Sequence, residues 1–271
     1  MKKARLLIFV IVCSVSPSLY AASEGHWEPL FNGVDLDGWD LMLVKHYNDD
    51  HKPEDYFVVD DGVIHVYAGK QHATAQPYAA MVSQQVYSHF HMYLEYQWGE
   101  AKFEPRLDLL RDAGLLYHVH GMGKPAWPLS MESQIQQSES GDAYAIGTKM
   151  SAWVDPCSLT INPPQSVTHY TFDETVQNQR YFSLGTPNKI LRFRHNQDEE
   201  VDGWNSMEII VEGDRAIHKV NGIVVMEVSD FKKWDDNKKH WVPLIEGKIA
   251  LQAEGAEVFY RNIKIKPLEH Q

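Results

Sequence analysis

The sequence has few cysteines and few long apolar runs, and each shortage excludes a class of protein. Of its two cysteines, Cys13 lies in an apolar stretch near the N-terminus and Cys157 near the middle of the chain. If the N-terminal stretch is removed, Cys157 has no partner, so an intramolecular disulfide framework is excluded. Beyond that stretch no run is long and apolar enough to span a bilayer. Glycine-rich phosphate loops and the Gly-x-Ser-x-Gly motif are also missing, which argues against nucleotide chemistry and serine hydrolysis.

Basic residues are scarce as well. The chain has 25 Lys and Arg against 37 Asp and Glu, and its formal net charge is −12. Binding to nucleic acid requires a positive surface that neutralises phosphates. The composition therefore predicts that nucleic acid is not a partner of this protein.

The first residues are typical of an export signal. Met1–Arg5 carries three positive charges and no acid, Leu6–Ser16 is apolar, and Leu19–Ala22 offers small residues for cleavage. The apolar run is too short to span a bilayer. We therefore expect residues 1–21 to be a signal peptide, residues 22–271 to form the mature domain, and the mature protein to be secreted or periplasmic.

Short runs that alternate between apolar and polar residues recur along the rest of the chain. Pairs that tolerate positive φ separate several of them, as in β-hairpins. Three such turns are Asp61-Gly62, Gly213-Asp214 and Asn221-Gly222. Long helical periodicity is missing, and a short helical turn is predicted at places such as Ser229–Trp234. The pattern predicts a single-domain, all-β sandwich, in which the aperiodic segment 142–188 forms a long ordered excursion or lid.

Polar side chains follow one face of a strand in the middle of the chain. Glu132, Gln134 and Gln136 are two residues apart, so they point to the same side, and the same rule places His118 and His120 together. If the two strands share a sheet, Glu132 and His118 can meet in a site. A solvated outer face would give the same pattern.

The composition of this row argues against ordinary glycoside hydrolysis. Retaining glycosidases place two carboxylates roughly 5 to 5.5 Å apart, whereas the neighbours of Glu132 on its face are amides, which cannot ionise. A two-carboxylate hydrolase then requires a remote acid to complete the pair. The candidates are Glu139, Asp142 and Glu254.

Histidines and carboxylates in this region could also bind a metal. His118 and His120 could offer two imidazoles to one divalent ion, with an oxygen from Glu132. The mixed run 195–200 is predicted to be a solvated acidic loop, with a calcium site as the alternative. The sequence thus allows one divalent metal without requiring it.

Four stretches together resemble one known family. They are Leu30–Trp39; Gly114–His118 with Ser130–Gln136 and Ser140–Asp142; Gly203–Glu208 with His218–Gly222; and Gly247–Gln252 with Phe259–Ile263. In this order they are similar to the motifs of the 3-keto-disaccharide hydrolase family, which has a concanavalin-like jelly-roll fold. The chain departs from the family pattern at Ser140, where threonine is expected.

The resemblance implies cleavage of glycosides that are oxidised at C3. A C3 ketone acidifies the C2 proton, so the glycosidic oxygen can leave by elimination, and water can then be added. This route needs one base, a stabiliser of the enediolate and a proton for the leaving group. A divalent metal could act as the stabiliser.

We accordingly assign Glu132 and His118 as the catalytic pair, with a carbohydrate as the partner. The expected substrate contacts are Lys102, Gln134, Gln136, Trp204, Asn205, His218, Asn221, Gln252 and Glu254. Two other functions fit the same fold, because fold does not fix function. One is a non-catalytic, lectin-like carbohydrate-binding module, and the other is an ordinary glycosidase.

Overall fold

The computed structural model describes residues 25–43, 52–124, 126–158, 160–162, 167–173, 175–197 and 199–269. The predicted signal peptide lies outside these residues. The described residues form the strands β1 (Glu28–Pro29), β2 (Trp39–Leu43), β3 (Phe57–Asp60), β4 (Val63–Val66), β5 (Ala79–Ser83), β6 (His89–Lys102), β7 (Asp112–Lys124), β8 (Trp127–Gln136), β9 (Ala143–Ile146), β10 (Thr148–Val154), β11 (Thr160–Asn162), β12 (Val167–Phe172), β13 (Arg180–Gly185), β14 (Ile190–His195), β15 (Asn205–Glu212), β16 (Arg215–Val220), β17 (Ile223–Asp235), β18 (His240–Pro243), β19 (Lys248–Ala253) and β20 (Ala256–Pro267).

The strands form two sheets. The first has the order β13-β10-β17-β16-β15-β6-β20-β4-β3, with β1 beside β20 and β18 beside β17. The second has the order β11-β12-β14-β9-β8-β7-β19-β5-β2. Neighbours are antiparallel apart from β12 and β14, which are parallel. The prediction of an all-β, concanavalin-like jelly-roll sandwich is confirmed.

The core lies between the sheets because most strands alternate in polarity. In β6, Phe90, Met92, Leu94 and Tyr96 are buried, while the residues between them are half-buried. Fully burying one such apolar side chain contributes roughly 1.5 to 3 kcal/mol. From the second sheet, Leu115, Tyr117, Met131, Ile135 and Leu251 join the same cluster. The alternation thus assigns one face of each sheet to the core.

The turns were predicted correctly, and two irregular segments were not. The hairpins at Asp61-Gly62, Gly213-Asp214 and Asn221-Gly222 join β3 to β4, β15 to β16 and β16 to β17. Segment 142–188 was expected to be an excursion, but β9 to β13 add to both sheets there. The chain switches between the sheets in this segment and β10 pairs with the distant β17, which no local alternation reveals.

The helical turn predicted at Ser229–Trp234 was also wrong. These residues belong to β17, which pairs with β10 and β18. Asp230 has a φ of 57° beside a break in the register with β10, so a bulge disturbs the alternation that would have marked a strand. The 3-10 turn at Pro53–Asp55 is the only helix among the described residues, and none there is long and apolar enough to cross a membrane.

Candidate active site

The candidate site lies on the face of the second sheet that points away from the inter-sheet core, here called the outer face. Leu115, Tyr117 and Met131 belong to the core. Leu116, the residue between the first two, instead joins a small separate cluster with Val82 and Ala250. Glu132 is paired with Leu116 across β7 and β8, so it projects to the outer face as well.

Register places the polar side chains of this face in adjacent rows. Glu132 lies between Leu116 on β7 and Tyr144 on β9. Gln134 is paired with Gly114, and the pairing of Ala250 with Leu116 brings Gln252 beside Gly114 from the other side. The predicted row of Glu132 and Gln134 therefore faces Gln252 of β19 across one glycine.

Gly114 makes room for this arrangement. A Cβ at this position would overlap Gln252 Oε1 and Glu132 Oε1. The two oxygens therefore flank the space above the glycine and lie next to each other. Any larger residue would push one of the two side chains away.

Glu132 is a buried carboxyl group with no hydrogen-bond donor among the described residues. Its side chain reaches the surface with only 4% of its area. Burial raises the pKa of Glu132 well above its usual value, the nearby Asp112 raises it further, and Arg106 partly opposes both. A buried carboxyl group whose pKa is raised in this way is typical of an acid–base catalyst.

Two further carboxyl groups lie beside Glu132. Asp112 pairs with Arg106 and accepts a hydrogen bond from Gln134 Nε2 at 2.9 Å. Burial raises the pKa of Asp112 to about 6 in spite of Arg106. Glu254 accepts a hydrogen bond from Gln252 Nε2 at 2.8 Å, and burial raises its pKa.

Carboxyl groups that the polar row of β8 lacks are therefore supplied by Asp112 at the start of β7 and by Glu254 just after β19. Glu254 was one of the three residues considered for this role, whereas Asp112 was not considered at all. Asp112 precedes Gly114 by two residues, so alternation on β7 could have placed it on the same face. The amides in the row thus argue less strongly against a two-carboxylate mechanism than expected.

Glu139 and Asp142, the other two acids considered, pair with arginines of β14. Arg192 Nη1 donates to Glu139 Oε2 and to Tyr144 Oη, both at 2.7 Å, and Arg194 Nη2 donates to Glu139 Oε1 at 2.7 Å. Burial raises the pKa of Asp142 to about 7, although Arg192 opposes it. This network borders the site next to Tyr144.

The predicted contact between Glu132 and His118 is wrong. His118 has a φ of 51° and lies where the register of β7 shifts between Tyr117 and Gly121. This bulge turns its ring into the inter-sheet core, where Nε2 donates to the Gly213 carbonyl at 2.6 Å. Burial lowers the pKa of His118 to about 4, so it is a neutral core residue and not a partner of Glu132.

The predicted metal ligand set is not assembled either. His118 and Glu132 lie on opposite sides of the sheet, and His120 Nδ1 donates to the His118 carbonyl at 3.0 Å. Within the described ranges, no group of three His, Cys, Asp or Glu side chains could hold a metal ion. These residues therefore do not fit the predicted divalent ion.

The acidic run at 195–200 is largely structural. His195 is buried, and its backbone N–H donates to Asp142 Oδ1 at 2.9 Å. Glu200 accepts hydrogen bonds from the Trp98 indole and from the Ser138 backbone N–H. Asp198 lies outside the described residues. The expectation of a solvated loop was therefore wrong for these two residues.

Several predicted substrate contacts also lie elsewhere. His218 is fully buried between the sheets, where Nδ1 donates to the Gly141 carbonyl at 2.9 Å and Nε2 accepts from Tyr117 Oη at 3.0 Å. Asn205 and Asn221 hydrogen-bond to each other at 2.8 Å and hold their turns together. These side chains were predicted to contact substrate because the sequence does not show the backbone groups with which they form hydrogen bonds.

Of the remaining predicted substrate contacts, some lie on the outer face and others do not. Trp204 lies under Arg261, whose guanidinium carbon is 3.8 Å from the ring centroid. Lys102 donates to the Leu109 carbonyl in the loop that precedes Asp112. Gln136 is paired with Asp112 and lies at the end of the polar row. The outer face thus brings together Glu132, Gln134, Gln136, Gln252 and Glu254.

The fold and this face define a jelly-roll protein with buried carboxyl groups on the outer face of one sheet. The chain belongs to the family of 3-keto-alpha-glucoside-1,2-lyase-like domains, whose model matches residues 26–266. This finding confirms the family that the sequence motifs resemble. None of the curated proteins matches the chain significantly.

Several solved structures match most of the length of the chain. A candidate glycosyl hydrolase from Parabacteroides distasonis is 20% identical, covers 91% of this chain and 95% of its own, and has a TM-score of 0.47. The carbohydrate-binding module CBM66 from Bacillus subtilis is 9% identical, covers 84% and 95%, and has a TM-score of 0.42. The Bacillus licheniformis beta-glucanase is 8% identical, covers 92% and 100%, and has a TM-score of 0.41. At these values the likeness carries no information on activity.

Proposed function

We propose that this protein cleaves the glycosidic bond of 3-keto-glycosides by elimination across C1 and C2, with hydration completing a net hydrolysis. Membership of the 3-keto-alpha-glucoside-1,2-lyase-like family supports the substrate class. The observation that carries the proposal is Glu132, a buried carboxyl with a raised pKa and no donor among the described residues. Such a group is available for proton transfer and is not engaged in holding the fold.

The side chains around Glu132 suit an oxidised sugar. Gln134 Oε1 and Gln252 Oε1 are buried and have no hydrogen-bond partner in the described part of the chain. A buried acceptor that lacks a partner costs roughly 1 to 3 kcal/mol, so hydroxyl groups of a substrate would relieve this cost at Gln134. Tyr144 accepts from Arg192, which leaves its own hydroxyl proton free to donate.

An ordinary glycosidase is the second candidate, because Glu254 places another carboxyl beside Glu132. That mechanism needs a carboxylate that attacks C1 or activates water there, and it does not need a ketone. The two candidates therefore differ in their substrate.

A substrate comparison tests the proposal. The purified mature protein is incubated with a 3-keto-disaccharide and with its unoxidised parent, and sugar release is followed together with exchange of the C2 proton in deuterated water. We expect cleavage and exchange with the oxidised sugar alone. Equal cleavage of both sugars would establish the glycosidase instead, and binding without cleavage or exchange would indicate a carbohydrate-binding module.

A further inference from the structure

The amide of Gln252 lies between two carboxyl groups, and its orientation is fixed by the backbone. Gln252 Nε2 donates to the Ala126 carbonyl at 2.6 Å and to Glu254 Oε1 at 2.8 Å. A carbonyl oxygen can only accept, so the nitrogen must be the end that faces Ala126. Gln252 Oε1 must then be the end that faces Glu132 across Gly114.

Two buried acceptor oxygens that are neighbours repel each other, and a proton on one of them removes this repulsion. Gln252 is fully buried, and its Oε1 has no donor among the described residues. An ionised Glu132 would bring a negative oxygen to this carbonyl, whereas a protonated Glu132 could donate to it. The amide therefore stabilises the acid form of Glu132.

Glu254 contacts the nitrogen end of the same amide. It accepts from Gln252 Nε2 and from Trp127, and both donors favour its charged form. Glu132 has no such donor in the described ranges. Burial raises the pKa of both groups, and the hydrogen bonds decide that the first proton to bind goes to Glu132.

We propose that Gln252 is a positioning residue that fixes opposite protonation states on the two carboxyl groups, so that Glu132 is the acid and Glu254 the base of the reaction. The assignment rests on the proposed function for its chemistry. It also replaces the predicted catalytic pair of Glu132 and His118 by Glu132 and Glu254. The charged or titratable groups that face Glu132 from the surrounding elements are Asp112, Arg106, Glu254, Tyr144 and Tyr260.

The proton and electron movements balance without a further reactant. Glu254 takes the proton from C2, and the electrons of the C2–H bond form an enolate whose charge lies on the C3 oxygen. As the C1–O bond breaks, the enolate electrons form the C1–C2 double bond and restore the ketone, and the leaving oxygen takes the proton of Glu132. The products are the released alcohol and an unsaturated 3-keto sugar, with Glu254 protonated and Glu132 ionised. Proton exchange with solvent then restores both carboxyl groups to their starting states. When water adds in the site before this exchange, the roles are reversed: Glu132 takes a proton from the water and Glu254 returns a proton to C2.

Protonation in the ligand-free protein tests the assignment directly. Glutamate side-chain carboxyl groups are labelled with carbon-13, assigned with Glu132→Gln and Glu254→Gln, and titrated by NMR. At neutral pH we expect Glu132 in the acid form and Glu254 in the carboxylate form. The reverse order, or ionisation of both, would overturn the proposal whether or not the protein cleaves a 3-keto sugar.

A substitution of the amide gives a second readout. Gln252→Met keeps the shape and removes both ends of the amide, so the pKa of Glu132 should fall by about one unit, the value of one hydrogen bond. Gln84→Met, at an exposed position, serves as the control and should leave it unchanged. An unchanged pKa in folded Gln252→Met would contradict the role of the amide, and the wild-type titration still decides the assignment if this variant does not fold.

Measurements of C2 exchange and of cleavage distinguish the acid from the base. With the 3-keto substrate, Glu254→Gln should lose both C2 exchange and cleavage. Glu132→Gln should keep exchange and lose cleavage by about 100-fold or more. The opposite pattern would mean that Glu132 is the base. Inactivity of the wild-type protein on any 3-keto sugar would count against the proposed function and would leave the NMR result standing.

Discussion

Glu132 combines burial, a raised pKa and the lack of a hydrogen-bond donor in the described part of the chain. Its surroundings are unfavourable for a charge, and nothing there uses the carboxyl to hold strands together. A group that costs stability and supports no contact is typical of a site selected for chemistry.

Replacement of this carboxyl should therefore affect activity and not folding. We predict that Glu132→Gln lowers kcat on a 3-keto-glycoside by about 100-fold or more, because the amide keeps the shape but cannot transfer a proton. Its thermal unfolding should match or exceed that of the wild type. Glu246→Gln, on the exposed surface, is the control. Near wild-type turnover of Glu132→Gln would remove Glu132 from the mechanism.

Gly114 matters for a different reason, because it leaves space for two side chains. We predict that Gly114→Ala lowers kcat/KM by about tenfold or more, equivalent to about 1.4 kcal/mol, since the new methyl group overlaps Glu132 and Gln252. Gly121→Ala on the same strand is the control, because its Cβ would meet only the Leu129 side chain, whose nearest atom lies at 3.1 Å. Equal losses in both variants would indicate a general effect on β7 and not on the site.

At the scale of elements, the bulge in β7 decides which side chains reach the site. Without the bulge, alternation would place His118 beside Leu116 on the outer face. With it, the His118 ring contacts Phe231 of the first sheet at a centroid distance of 6.0 Å. His118 and His218 thus join the two sheets through hydrogen bonds to Gly213 and Gly141.

Buried neutral histidines make the sandwich sensitive to acid. Burial lowers the pKa of His218 from 6.5 to about 4. Between these values the unfolded chain binds a proton that the folded protein does not, so stability falls as the pH falls through this window, by about 3 kcal/mol for this residue. We predict that the difference in unfolding free energy between wild type and His218→Gln shrinks from pH 6.5 to pH 4.

Denaturant unfolding at several pH values measures this difference. Asp112 and Asp142 have raised pKa values and favour the folded state as the pH falls. They are present in both proteins, so their contribution cancels. A difference that stays constant or grows on acidification would mean that His218 is charged in the folded protein.

At the scale of the whole molecule, the untested expectation is export. We predict that the mature protein lacks residues 1–21 and lies outside the cytoplasm, because a basic start, a short apolar run and small residues follow one another. Mass spectrometry of the protein from the periplasm or medium should give a mass that begins after Ala21 or Ala22. An intact Met1 on the exported protein would contradict the prediction.

The overall architecture was largely predictable, because it depends on local signals. Alternation in strands such as β6 and β15 and the three hairpin turns define most of the sandwich. The strands within segment 142–188 were not predictable, because the chain switches between the two sheets there and β10 pairs with β17, which lies far along the chain. Their composition resembles that of a loop, and only pairing makes them strands.

The candidate site was likewise predictable only in part from the sequence. The sequence by itself determined that Glu132 and Gln134 share a face, because alternation within one strand is a local property of the backbone. Only the tertiary structure decided that His118 turns into the core, that Asp112 and Glu254 join Glu132, and that Gln252 lies between two carboxyl groups. A bulge, a strand register and the loss of solvent around a carboxyl each depend on which strands become neighbours, and that depends on the packing of the whole chain.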